Sequence, residues 1–145
     1  MRDTRYESGF TLIEVLIAII LVGLAIASLV AANTSFTKAN GAGVNLSTAE
    51  FLIEQIRERS ISTNYDDLYG LEHFDSVNFS PPINAEGESL TVFAAFSEQI
   101  TVENVNENNF EQVVAYDSSF IRVTAKVFLN SREISSARWI RARCR

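Results

Sequence analysis

Residues 9–32 read GFTLIEVLIAIILVGLAIASLVAA, an apolar run that follows a short charged leader. From Val15 to Ala32, the one strongly polar side chain is Ser28. As a helix, residues 10–32 would extend roughly 35 Å, which is about the thickness of a bilayer hydrocarbon core. The run therefore predicts a membrane-spanning helix, and Glu14 is an acid near its start that requires an explanation.

The charged residues around the run predict how it crosses the membrane. Arg2 and Arg5 precede it, and the next positive charge is Lys38. Positive charge favours the cytoplasmic side of a membrane. We therefore expect a single-pass protein of the inner (cytoplasmic) membrane, with its N-terminus in the cytoplasm and its globular part periplasmic or extracytoplasmic.

Two simple alternatives for this segment leave Glu14 unexplained. A secretory signal peptide would use Ala25-Ile26-Ala27 as its cleavage pattern, but the apolar run continues past that point. A plain membrane anchor would accommodate the segment sterically. However, an ionisable group in a membrane span costs a few kcal/mol and usually marks a partner.

The string Gly9-Phe10-Thr11-Leu12-Ile13-Glu14, followed by an apolar helix, resembles the class III signal of the type IV pilin superfamily. That superfamily includes type IV pilins, type II secretion pseudopilins and competence pseudopilins. The resemblance implies that a prepilin peptidase removes residues 1–9 by cutting after Gly9, and that Phe10 is then N-methylated. It also implies that residues 10–32 serve first as the membrane anchor and later as the filament core.

The same resemblance offers a role for Glu14. Cleavage after Gly9 would create a positive amine on Phe10 inside an apolar bundle of helices. A carboxylate from an adjacent subunit would neutralise it, since either charge alone is expensive to bury. By family analogy, Glu14 sets the axial register of assembly. The implied partners are the peptidase, other pilin or pseudopilin subunits, an inner-membrane assembly platform with its ATPase, and membrane lipid.

Residues 33–62 predict an amphipathic helix that lies on an apolar surface, most simply a sheet. Apolar residues recur at a spacing of three to four, at Leu46, Ala49, Ile53 and Ile56. Ser47-Thr48-Ala49-Glu50 has the pattern of a capping box, which would start a new helix there. Gly41 and Gly43 indicate either a break between two helices or a soft spot in one long helix, and we slightly favour the soft spot.

Residues 63–145 predict a globular antiparallel sheet domain. Residues 90–96 and 99–105 have extended character, and residues 120–129 alternate clearly between apolar and other side chains. Asn130-Ser131 predicts a tight turn, after which residues from Ile134 onward would return as the last strand. The expected fold class is α+β, with a long N-terminal α-helix packed on a C-terminal antiparallel β-sheet.

Few residues beyond the N-terminal segment suggest chemistry. Asp66-Asp67 raises the possibility of a metal site, but two adjacent acids without a spaced ligand set more often form a solvated turn. His73 is the one histidine and has no nucleophile context in the sequence. We identify no catalytic constellation, no cofactor-binding motif and no metal site, and we expect that the protein is not an enzyme.

The C-terminal stretch ARWIRARCR is basic in a chain of net charge −6. In a strand, Trp139 and Arg141 would share a solvated face with Arg143 and Arg145, and Ile140 would lie with Ala142 and Cys144 on an apolar face. A DNA-uptake pilin could use these arginines on phosphates, although the overall negative charge makes DNA an unfavoured partner. The single cysteine, Cys144, cannot form the internal disulfide common in major pilins, and this favours a minor pilin or a pseudopilin.

Three functions stay open on the sequence. The first is a structural subunit of a type IV pilus-like filament. The second is a DNA-binding minor pilin, and the third is a signal-anchored exported domain with a binding or enzymatic role. The third predicts a mature N-terminus after Ala27, or no cleavage at all.

Overall fold

The structure is a computed structural model that describes residues 9–64 and 77–143. The chain divides into two compact units, Met1–Ala42 and Gly43–Arg145, and each is described by itself. Asp66-Asp67, His73, Cys144 and Arg145 lie outside the described residues, as do residues 1–8 of the leader. The expectations attached to these positions therefore stay predictions.

One α-helix, α1, covers Leu12–Ser62. It is continuous through Gly41 and Gly43, so the capping box at Ser47 is wrong. A residue in the interior of a helix has no unpaired first-turn amides to cap, since the following amides already bond to carbonyls four residues earlier. The neighbouring hydroxyl of Thr48 instead donates to the carbonyl oxygen of Val44 at 3.0 Å.

The apolar part of α1 meets the length and composition required to cross a membrane. Its most apolar 18-residue window has a mean hydropathy of 3.0, and none of that window is buried within the chain. The hydroxyl of Ser28 donates to the carbonyl oxygen of Ala25 at 2.9 Å. This bond satisfies the hydroxyl inside the helix, as lipid surroundings require.

The second unit contains a five-stranded antiparallel sheet. Its strands are β1 (Val77–Phe79), β2 (Phe96–Asn106), β3 (Asn109–Val113), β4 (Phe120–Leu129) and β5 (Arg132–Ala142). Their order is β1-β2-β4-β5, with β3 paired to the end of β2. The α+β class, with the helix packed on an antiparallel sheet, is confirmed.

The predicted strands are confirmed to different extents. β4 covers the predicted residues 120–129, and Asn130 and Ser131 both adopt positive φ in the turn that follows. The predicted strand over residues 90–96 is wrong, because Thr91–Phe93 forms a single 3-10 turn. β1 and β3 were not predicted. β3 is exposed at all five residues and so shows no alternation between a buried and a solvated face.

The core lies between the second half of α1 and the inward face of the sheet. The buried helix residues form one stripe at a spacing of three to four: Ala49, Leu52, Ile53, Ile56 and Ser60. They pack on alternate residues of β2 and β4, such as Ile100 and Val123. The predicted stripe is confirmed from Ala49 onward, while Leu46, one turn earlier, is 44% exposed. Burying such aliphatic side chains contributes about 1.5–3 kcal/mol each.

An acid lies within this core. The side chain of Glu98 is fully buried on β2, between the inward-facing Phe96 and Ile100. Its Oε2 accepts the backbone N–H of Ile83 at 3.1 Å, and Oε1 has no hydrogen-bond partner among residues 9–64 and 77–143. Burial raises the pKa of Glu98 to about 7, although the bond from Ile83 acts in the opposite direction. The carboxylate holds the loop that follows β1 against the sheet.

Candidate cleavage and assembly site

The start of α1 is fixed by Thr11. Its hydroxyl oxygen accepts the backbone N–H of Glu14 at 3.3 Å, and its carbonyl oxygen accepts the N–H of Glu14 at 3.1 Å and of Val15 at 3.2 Å. Thr11 therefore acts as the N-cap of the helix, a position where threonine is favoured. This role was not predicted, although Thr11-x-x-Glu14 has the spacing of a capping box.

Gly9 and Phe10 precede the helix. A Cβ added at Gly9 would meet no atom of the chain within 4 Å, and no positive φ requires a glycine there. Any requirement for glycine at this position must therefore come from a partner that contacts the chain. The bond after Gly9 lies outside the hydrogen-bonded helix, so that no helical turn has to open before a peptidase can reach it.

Phe10 and Glu14 line the same shallow groove along α1. The groove has a volume of about 580 Å³, and its other lining residues are Val15, Ala18, Ile19 and Val22. Glu14 contributes the one ionisable side chain in an otherwise apolar lining. Two of the three predicted residues, Phe10 and Glu14, thus lie on the same groove, whereas Gly9 does not line it.

Glu14 also occupies the first turn of α1. A carboxylate there is stabilised by the positive end of the helix dipole. This local effect is a second physical role for Glu14, within its own chain, and it was not predicted. It does not remove the cost of a carboxylate in an apolar bundle, and a positive partner would still lower that cost.

The C-terminal arginines face differently from the prediction. Trp139 packs against the core and its Nε1 donates to the Oγ of Ser60 at 3.1 Å, while Ile140 is 36% exposed. The predicted faces of β5 are therefore reversed. The physical reason is that Arg141 reaches the end of α1, where its guanidinium donates to the carbonyl oxygens of Ser60 and Ile61. Basic side chains stabilise the last carbonyls of a helix in this way.

The other two described arginines of this stretch also have partners within the chain. Arg138 lies 3.5 Å from Glu111 and Arg143 lies 3.2 Å from Asp117, each measured between a guanidinium nitrogen and a carboxylate oxygen. These contacts use part of the positive charge that phosphate binding would need. The described arginines therefore do not favour the DNA-binding alternative.

Over residues 9–64 and 77–143, no group of three or more histidine, cysteine, aspartate or glutamate side chains could hold a metal ion. Glu103 and Glu111 both form ion pairs with Arg122. The distances between the guanidinium nitrogens and the carboxylate oxygens are 2.8 and 3.8 Å, respectively. The pair with Glu103 links β4 to β2, and the pair with Glu111 links β4 to β3.

Comparison with known proteins identifies the N-terminal segment. Residues 4–31 match the family described as the prokaryotic N-terminal methylation motif. No curated protein and no solved structure matches the chain. The match confirms the resemblance drawn from the segment between Gly9 and Glu14. It supports a type IV pilin-like protein, processed by a prepilin peptidase, anchored by a single membrane pass and assembling with other pilin subunits.

Proposed function

We propose that this chain is a non-enzymatic structural subunit of a type IV pilus-like filament, either a minor pilin or a pseudopilin. The observation that carries the proposal is the prepilin-type motif over residues 4–31 together with the shared groove of Phe10 and Glu14. The lone cysteine supports the assignment to a minor pilin or pseudopilin, since one thiol forms no internal disulfide.

The first step in the proposed pathway is proteolysis. A prepilin peptidase hydrolyses the amide bond between Gly9 and Phe10, which leaves a carboxylate on Gly9 and an amine on Phe10. N-methylation of that amine keeps it basic, so that it stays positively charged at neutral pH. The open backbone around Gly9 fits this step, because the chain itself places nothing against the glycine.

The second step is assembly. The helix between residues 12 and 32 exposes apolar side chains on all sides, and a helix of this kind is stable only when it is surrounded by lipid or by other apolar helices. Transfer from lipid to a bundle leaves the apolar contacts nearly unchanged. The charge on Phe10 is then the largest local cost, and Glu14 of an adjacent subunit offsets it.

This pairing also gives assembly a register. Apolar contacts along a smooth helix allow a subunit to slide, whereas a single buried ion pair is lost if the subunit moves by one helical turn. We propose that Glu14 acts in this way while the subunit is drawn from the inner membrane by an assembly platform and its ATPase. The globular unit then lies on the extracytoplasmic side, and later in the filament.

The experiment that tests the proposal is the mass of the mature N-terminus. The chain is expressed in a host with a prepilin peptidase, and the membrane fraction is analysed by intact and peptide mass spectrometry. We expect an N-terminal peptide that begins at Phe10 and carries one additional methyl group. A mature N-terminus at Met1 would contradict processing, and one at Ser28 would establish a secretory signal peptide instead.

A further inference from the structure

The outer edge of β5 is open over the part of the chain that the structure describes. β5 ends the strand order, and its pairing runs to β4 alone. A bulge leaves Ile134 without a partner on β4, after which the pairing from Ser135 to Ala142 is regular. Within these eight residues, every second residue directs its backbone N–H and C=O to the open edge, which is the usual template for addition of another strand.

A groove of about 430 Å³ runs along this edge. Its wall on the sheet side consists of three consecutive residues, Ser135, Ser136 and Ala137. Successive residues of a strand point to opposite faces, so a cavity over one face would touch only alternate residues. A cavity that touches three in succession lies along the backbone edge. Because β4 occupies the other edge, the groove follows the open one.

The opposite wall is the flank of α1. It consists of Glu50, Phe51, Ile53 and Glu54. Phe51 is 47% exposed and so offers apolar area, while Glu50 and Glu54 are both exposed. Glu54 lies 3.5 Å from Arg57 in an ion pair whose two side chains are more than half exposed. Such a pair is worth little and exchanges readily with another cation.

The two walls run side by side. Early in this part of α1, Ala49 belongs to the apolar cluster against which Ile134 packs. Further along the helix, Ser60 binds Trp139 and Arg141. The contacts therefore advance in the same direction along α1 and β5. Glu50 and Glu54 are separated by about 6 Å along the helix axis. Alternate residues of a strand are separated by about 6.7 Å, so the two carboxylates match successive same-side positions of an added strand.

We infer that the groove between β5 and α1 is a docking site for an extended segment of a different protein, which adds as a sixth strand and carries lysine or arginine at alternate positions. Its backbone pairs with the open edge of β5. The stems of its basic side chains lie on the exposed ring of Phe51, and their charged ends reach Glu50 and Glu54.

A second copy of this chain is a poorer occupant. Arg141 of β5 and Arg143 just after it lie at alternate positions of the same face, but within their own chain Arg141 already binds the carbonyl oxygens of Ser60 and Ile61 and Arg143 binds Asp117. Pairing of two β5 edges would therefore have to break these contacts before either arginine could reach a carboxylate of the groove. The charge of the groove wall thus favours a different chain of basic character, and this site goes beyond the proposed polymerisation of the N-terminal helix.

The test uses the full chain in detergent micelles and the acetylated, amidated peptide Thr-Lys-Val-Lys-Val-Lys-Thr. We expect saturable binding, with amide hydrogen exchange slowed at least fivefold in residues 134–138. Glu50→Gln combined with Glu54→Gln should weaken binding at least tenfold. The matched control is Glu58→Gln, an exposed acid of the same helix outside the groove, which should change the affinity less than twofold.

Backbone methylation separates strand addition from simple charge attraction. Two further peptides carry N-methyl groups either on the valines or on the lysines, with the same charge. Only one of them should lose binding, since alternate amides of a strand point to opposite sides. Equal binding of both methylated peptides, protection outside residues 134–138, an equal effect of Glu58→Gln, or no binding at all would each overturn the inference. If amide exchange in β5 slows when only the protein concentration is raised, without peptide, β5 pairs with a second copy of the chain, and this result would also overturn the inference.

Discussion

The two units of the chain contrast in where their apolar side chains go. Between residues 9 and 42 every residue is exposed, including some of the most apolar residues of the chain. Between residues 43 and 143 the helix and the sheet share a core whose central side chains are fully buried. Burial of its own apolar side chains stabilises the second unit, whereas the first unit depends on the apolar surroundings that cover its exposed side chains. A substitution should therefore act on stability in one unit and on assembly in the other.

The largest effect is expected at Glu14, where the contrast is between processing and assembly. Glu14→Leu should leave cleavage after Gly9 largely intact but reduce incorporation into filaments at least tenfold, because the amine of Phe10 then has no carboxylate partner. Sheared filaments are quantified by immunoblot against the membrane pool. Glu58→Leu is the control, an acid removed from an exposed face of the same helix. Normal filament yield from Glu14→Leu would refute the assigned role.

A matched pair of isoleucines tests the contrast in stability directly. Ile56 is fully buried in the core of the second unit, and Ile19 is 64% exposed in the first. Ile56→Ala should destabilise the second unit by about 2–5 kcal/mol, since it removes packed side-chain volume. Ile19→Ala should leave it unchanged. The sole tryptophan, Trp139, packs on the core, so its fluorescence during denaturation reports this unit. Equal effects of the two substitutions would contradict the division.

Glu98 predicts how the stability of the second unit depends on pH. Its pKa is about 7 in the folded chain and 4.5 as the ordinary value. The folded chain thus holds the proton more tightly, so this group stabilises fully below about pH 4.5, and the contribution is lost as pH rises to about 7. The loss is on the order of 3 kcal/mol.

The measurement compares Glu98→Gln with the unaltered chain by Trp139 fluorescence at several pH values. The difference in unfolding free energy between the two proteins should change between pH 4.5 and 7 and stay constant above that range. Subtracting one curve from the other removes the contribution of groups that both proteins share. A difference that does not vary with pH would show that Glu98 keeps an ordinary pKa in the folded state.

The smallest effect is expected at the glycines near the boundary between the units. A Cβ at Gly41 or Gly43 meets nothing within 4 Å, so alanine at either position should stabilise the helix by up to about 1 kcal/mol. Amide exchange in residues 38–46 should slow accordingly. Gly87→Ala should instead destabilise the second unit, because Gly87 has φ of +89° and the guanidinium of Arg59 lies against it. Unchanged exchange after both helix substitutions would contradict a soft spot.

The secondary structure was predicted most accurately where a single factor, the burial of one face, determines the pattern of side chains. β4 was predicted to its ends because one of its faces is buried and the other is not, so that residues 120–129 alternate. β2 was predicted only over residues 99–105, although it starts at Phe96, because Glu98 interrupts its apolar inward face. Sequence patterns assign acids to solvent, and only the fold places the Ile83 amide next to this carboxylate.

The candidate site was predicted as a set of residues, but not as a geometry. Gly9, Phe10 and Glu14 follow from a local string, and their roles in cleavage and registry remain predictions. The cap at Thr11 was not predicted, because the string from Thr11 to Glu14 fits both a capping box and the prepilin-type signal. The face of β5 was reversed because Arg141 serves a helix end that is 81 residues away in the sequence, a contact that no local pattern encodes.

That contact has a consequence for biogenesis. Ser60 lies in the last turn of α1, and the side chains that bind it, Trp139 and Arg141, come from β5, which is synthesised after the other described strands. The end of α1 therefore gains these contacts only after β5 has been synthesised. A chain interrupted before β5 would still cover the apolar stripe of α1 with β2 and β4, but the last turn of the helix would lack its contacts with Trp139 and Arg141.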